Sequence, residues 1–188
     1  MAPGIGTLFG VARSIGANKN QLATAYIRSG LLVGIFAGVF FAGAALVIPG
    51  HLDTVMNLNE SMAKGVGASA ELYLKISLFA VLFQAPLFVL TMSLQGAGKA
   101  KLAFRISTIA PISNGLLDPL LIFDVVPGIG LPGCGLGLTG AAYASLFGYL
   151  FALIGAFWVV AQEFKLGQLS KWREQDGFAQ TSQILKVG

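Results

Sequence analysis

Charge is the scarcest property of this chain: Asp, Glu, Lys and Arg make up 11% of its 188 residues, against roughly 25% in an ordinary soluble domain. So few ionised groups cannot cover a water-facing surface, which excludes a freestanding soluble domain. Cysteine is nearly absent too. Cys134 is the only one, so no disulfide closes within the chain and no Cys cage for a metal can form. His51 is the only histidine; it falls in a connecting segment and reads as solvated. The sequence carries no HExxH, no Cys/His metal spacing and no nucleophile–base pair, and an enzyme is not expected. A leader peptide is lacking as well. Residues 1–15 are apolar without a basic start and read as the tail of a helix that begins outside the chain.

What the chain has is apolar length. Hydrophobic residues account for 55% of it and the mean hydropathy is +0.78. Four stretches, residues 30–48, 76–94, 102–123 and 138–161, approach or exceed the length of about 20 apolar residues that crosses a bilayer. Backbone groups in lipid must bond internally, which at this length means helices. The expected fold is an all-α polytopic transmembrane bundle with four full spans and a partial helix at each end. Residues 1–161 form the transmembrane lobe; residues 162–188 form a cytoplasmic linker and the start of a further helix.

The formal charge of +4 could suggest nucleic acid, but its placement says otherwise. Ten of the twelve basic residues fall around three segments: Arg13, Lys19 and Arg28; Lys99, Lys101 and Arg105; Lys165, Lys171, Arg173 and Lys186. Only Lys64 and Lys75 lie on the opposite side. Positive residues stay cytoplasmic, which assigns residues 96–105 and 162–188 to the cytoplasm of an integral protein of the plasma (inner) membrane. Residues 49–75 and 124–137 then lie outside. No nucleic-acid partner is expected; the partner is the bilayer.

Asn59-Glu60-Ser61 is a glycosylation triplet in the first outer segment. The second, DVVPGIGLPGCGLG, is rich in Gly and Pro and reads as an irregular loop. It contains Gly128-x-Gly130-x-x-Gly133, the spacing of a dinucleotide fingerprint, but without the strand and opening helix that such a motif needs. Gly30, Gly34 and Gly38 form a small-xxx-small ridge that lets helices approach closely in lipid, either within one bundle or between two copies. No internal repeat stands out.

Asp118 is the only acidic side chain inside the four spans. A charge at the centre of a membrane helix costs about 2.5–3.5 kcal/mol on the lenient insertion scale, so its presence needs a reason. Asn114 is four residues earlier, on the same helical face. Pro119 has no N–H, which leaves the carbonyl of Gly115 without its helical partner. Carboxylate, amide and freed carbonyl are hard oxygen ligands, suited to Na⁺ or to sharing a proton. The segment reads as a polar cup facing the bundle interior, with a structurally buried Asp in a non-transporting scaffold as the alternative. Gln84, beside Pro86, and Tyr143 and Ser145 on the fourth span are candidates to line it. No cofactor is expected beyond the ion itself.

Several stretches resemble the multidrug and toxic compound extrusion (MATE) family of transporters. Residues 10–19, GVARSIGANK, are similar to the cytoplasmic end of the family's second helix, and residues 73–97, YLKISLFAVLFQAPLFVLTMSLQGA, to its fourth. Residues 114–123, NGLLDPLLIF, resemble the fifth helix and residues 137–145, GLTGAAYAS, the start of the sixth. The resemblance implies an antiporter exporting organic, often cationic, drug-like compounds in exchange for Na⁺ or H⁺. It also implies ion coupling through Asp118 and Asn114, with Ser145 at a helix-six position usually held by Thr. The acid that such members carry on helix one has no counterpart here, and Gly98-Lys99 stands where Gly-Asp often follows helix four. The chain thus resembles an incomplete amino-terminal lobe, whose second lobe is the missing partner.

Overall fold

The computed structural model describes residues 2–48 and 68–164. These form six helices: α1 (Ala2–Gly16), α2 (Asn20–Ala44), α3 (Ala68–Gly96), α4 (Ala100–Ser107), α5 (Ile109–Ile122) and α6 (Leu138–Glu163). The glycosylation triplet, His51, Lys64 and residues 165–188 with their expected linker lie outside the described residues. The all-helical expectation holds among those that are described.

The expected count of four full spans is not confirmed. Among the described residues, three helices are long and apolar enough to cross a membrane: Asn20–Ala44, Ser69–Gly96 and Leu138–Glu163. The third expected span, residues 102–123, is divided at Thr108 into α4 and α5. The cause is local. Pro111 has no N–H to offer the carbonyl of Ser107, and it sits in the first turn of α5, where no N–H is needed. The Ser107 and Thr108 hydroxyls turn back onto the carbonyls of Ala103 (2.8 Å) and Arg105 (2.7 Å). Fourteen residues of α5 reach only about 21 Å, short of a bilayer core of about 30 Å.

The structure also shows a repeat that the sequence reading passed over. GANK at residues 16–19 and GAGK at residues 96–99 make the same turn. Asn18 and Gly98 take the left-handed conformation, with φ of 60° and 75°. Lys19 N–H bonds Ser14 O (2.9 Å) as Lys99 N–H bonds Leu94 O (2.8 Å), and Asn18 N–H bonds Ile15 O as Gly98 N–H bonds Gln95 O (2.9 Å each). This pair of bonds is a Schellman ending, and each lysine carbonyl then starts the next helix by accepting from Leu22 or Leu102.

The described residues divide into two compact units. The first comprises residues 2–37, 84–108 and 152–164; the second comprises 38–48, 68–83 and 109–151. In the first, Val11, Ile27, Val89, Leu90, Leu94 and Val160 are fully buried. A Cβ on Gly30 would strike Thr7 Oγ1, and one on Gly34 would meet a Val89 methyl at 3.2 Å. These two ridge glycines therefore pack within one chain. Lys99 forms an ion pair with Glu163 at the end of α6.

In the second unit, a Cβ on Gly38 would lie 2.8 Å from Leu82 Cα, so the third ridge glycine is spent on α3. The segment 124–137 is an irregular loop, as expected, and it caps the end of α5. The N–H groups of Cys134, Leu136, Gly137 and Gly135 bond the last carbonyls of α5 and its neighbour: Leu120 (2.8 Å), Leu121 (2.9 Å), Ile122 (3.0 Å) and Phe123 (3.0 Å). A helix end leaves such carbonyls unpaired, and the loop supplies the missing donors. Gly133 is required here because a Cβ would collide with the Phe123 carbonyl, and Gly135 is favoured by its φ of 61°. The glycines that mimic a dinucleotide fingerprint belong to this loop: Gly128 and Gly130 take φ of 82° and 73°, and Gly133 passes close to Phe123 O.

Candidate functional site

Asn114 and Asp118 lie one turn apart on α5 within the second unit. What brings α6 to them is a second row of small residues: Gly140, Ala144 and Gly148, all buried. A Cβ on Gly140 would sit 2.5 Å from Leu121 O, and one on Gly148 would sit 2.9 Å from Ala110 O. The two helices therefore touch backbone to side, as small-xxx-small spacing allows. Across this contact Asn114 Nδ2 donates to Ser145 Oγ at 3.2 Å. The structure thus brings two of the candidate residues, Asn114 and Ser145, into contact.

That hydrogen bond uses the donor end of the amide. The acceptor end is left over: Asn114 Oδ1 and Asp118 Oδ1 are both buried, and neither has a hydrogen-bond partner. Buried acceptors are paired in the great majority of cases, and each one left bare in a low dielectric is costly. The two lie one turn apart on one face of α5, where a hydrogen-bond donor, a proton or a cation would satisfy them. Their chemistry suits a hard ion, because carboxylate and amide oxygens match Na⁺-like partners rather than soft metals. No group of three or more His, Cys, Asp or Glu side chains capable of holding a metal occurs among the described residues.

The other expected lining residues fare differently. Gly115 is on the exposed side of α5, with nothing within 4 Å of where its Cβ would be. Tyr143 is two residues from Ser145 and so about 200° round α6, on the flank turned away from the Asn114 contact. Gln84 is exposed and belongs to the first unit. The residues that the sequence reading missed are Gly140, Ala144, Gly148 and the Ala110 carbonyl. The first three were open to the same small-xxx-small rule already applied to Gly30, Gly34 and Gly38.

Comparison with known proteins gives this arrangement its context. No curated protein matches the sequence. Two solved structures superpose over nearly the whole chain. One is the inward-facing conformation of a multidrug resistance MATE family transporter of the MOP superfamily. It is 25% identical with a TM-score of 0.72, and the match covers 100% of this chain and 40% of that one. The other is a MOP superfamily transporter from Pyrococcus furiosus, whose reversed binding-pocket polarity is described as suggesting a different function. It is 25% identical with a TM-score of 0.71, over 99% of this chain and 38% of that one. The chain thus spans well under half the length of either. The profile of the MatE family matches residues 1–120, a stretch that includes Asn114 and Asp118. This integral membrane protein therefore belongs to the MatE family of membrane transporters.

Proposed function

We propose that the chain forms an ion-coupling lobe of a multidrug antiporter, one that exports organic, often cationic, compounds in exchange for Na⁺ or H⁺. The observation that carries this reading is the pair of buried, unpartnered acceptors, Asn114 Oδ1 and Asp118 Oδ1. A proton on Asp118 or a cation between the two oxygens relieves the same deficit, so the two ions compete. Occupancy changes the charge buried in α5, which gives the lobe two electrostatic states for transport to exploit. Export requires an opposing wall, because alternating access rocks two halves about a shared site. The second lobe of the same transporter is the partner that fits this need.

In this reading α4 and α5 together make the third of four crossings, with residues 96–105 and 162–188 in the cytoplasm of the plasma membrane. The ten-to-two split of basic residues supports that orientation. Cys134 is exposed on the opposite side, so an impermeant maleimide labels it from outside intact cells. Labelling only after the membrane is opened reverses the topology.

The central test is Asp118→Asn in the full-length protein. It removes the charge at nearly constant volume and abolishes radiolabelled Na⁺ binding and pH-dependent drug transport. Asn114→Ala weakens coupling less, since the charge remains, and Ser145→Ala less again. Wild-type coupling in Asp118→Asn makes the acid structural and the lobe a scaffold.

A further inference from the structure

The Asn114 amide is constrained at both ends by α6. Ser145 Oγ holds its nitrogen at 3.2 Å. Its oxygen lies 3.0 Å from the point where Gly148 would carry a Cβ, and Ala110 O lies 2.9 Å from that same point. Ser145 and Gly148 are three residues apart and therefore neighbours on the surface of α6. A hydroxyl pins one end of the amide, and the absence of a side chain leaves the other end its room.

We propose that Gly148 is the specificity-determining position of the ion site. Carrying no side chain, it lets Asn114 Oδ1 serve as a second ligand beside Asp118 and so admits Na⁺ as well as a proton. This deepens the ion-coupling reading above and rests on it. The two ions make different demands. A proton is satisfied by one lone pair on the Asp118 carboxylate. A hard metal cation needs several oxygens around it, and Asn114 Oδ1 is the buried acceptor available beside the acid. A methyl group at position 148 cannot be absorbed by a rotamer change, because one of its two close neighbours is the Ala110 backbone. The strain is relieved by turning the Asn114 amide or by parting α5 from α6. Either movement displaces Asn114 Oδ1 while the Asp118 carboxylate stays on its helix. Gly148 is thus a positioning residue, acting on the ion through Asn114.

The test measures radiolabelled Na⁺ binding and pH-dependent proton uptake on the full-length protein. Gly148→Ala is expected to weaken Na⁺ binding roughly 10- to 100-fold, the range seen when residues that orient a metal ligand are altered, with a far smaller change in proton uptake. Asn114→Ala reproduces that split without crowding Gly148 against the Ala110 carbonyl, which keeps the idea testable if Gly148→Ala folds poorly. The double variant Asn114→Ala/Gly148→Ala binds Na⁺ no more weakly than Asn114→Ala alone, because both changes act through one amide. Four results overturn the role of Gly148: no Na⁺ binding by the unaltered protein, unchanged Na⁺ affinity in Gly148→Ala, additive losses in the double variant, or equal loss of Na⁺ and proton binding. Asp118→Asn separates this failure from a deeper one. If that variant retains both ions, the site itself is misassigned; if it loses proton uptake while any of the four results holds, only the role of Gly148 falls.

Discussion

The two units solve the same packing problem with the same residues and then treat their polar groups in opposite ways. In the first, Gly30 and Gly34 admit Thr7 and Val89. Four of the buried hydroxyls there bond within their own helix: Ser14 to Gly10 O (2.7 Å), Thr24 to Asn20 O (3.1 Å), Thr91 to Leu87 O (3.1 Å), and Ser93 to Val89 O (2.7 Å). Each returns to its own helix, a local bond that any Ser or Thr can make. In the second unit, Gly140 and Gly148 admit α5, but the polar group there reaches across. Asn114 gives its donor to Ser145, and two acceptors remain bare. Close helix approach alone does not distinguish a site from a packing contact. The surplus of buried acceptors is what supports the proposed site.

This contrast is open to direct attack. The largest effect is expected from exchanging one polar group in each unit. Asp118→Asn removes ion coupling altogether, whereas Ser93→Ala leaves it intact and costs about 1 kcal/mol of stability, the net value of one buried hydrogen bond. Transport assays with thermal unfolding in detergent check both. Equal functional loss in the two variants breaks the contrast. Next in size is the cost of crowding each ridge. Gly140→Ala places a methyl 2.5 Å from the Leu121 carbonyl, backbone that cannot rotate away, and should lose about 1–3 kcal/mol from overpacking. Gly34→Ala meets a Val89 methyl at 3.2 Å, a side chain able to yield, and should lose less. Reversal of that order in denaturation midpoints shows that α5 and α6 are less tightly joined than α2 and α3. The smallest effect is at Gly115, where an added Cβ finds open space. Gly115→Ala keeps the carbonyl freed by Pro119 and should gain about 0.5–1 kcal/mol from helix propensity, with ion coupling unchanged. Loss of coupling there makes the exposed flank of α5 part of the site.

Much of this was readable from residue order, and the misses have specific causes. Asp118, Asn114 and Pro119 stood out because an acid and a proline are costly in an apolar helix wherever the helix is placed. The GANK and GAGK turns were readable too, and were missed because the repeat is confined to a four-residue turn signal between otherwise dissimilar helices. The division at Thr108 was hidden because a hydropathy run does not register a missing N–H at Pro111. Gln84 and Tyr143 were drawn into the site by polarity alone, and helical phase turns Tyr143 away.

Composition and periodicity determined that this chain is helical, lies in a membrane and carries one buried acid with an amide a turn before it. Those properties depend on solvent transfer and on contacts three or four residues apart. Only the tertiary structure decided that α6 would present Gly140, Ala144 and Gly148 to α5, in the register that seats Ser145 against Asn114 Nδ2 and leaves two oxygens unpaired. That register arises from the fit of one helix surface into another, together with a loop whose N–H groups fasten the end of α5 ahead of α6. Neither depends on residues near one another in sequence, so the small-xxx-small spacing could mark a close-packing face of α6 but not that the helix of the acid would pack on it.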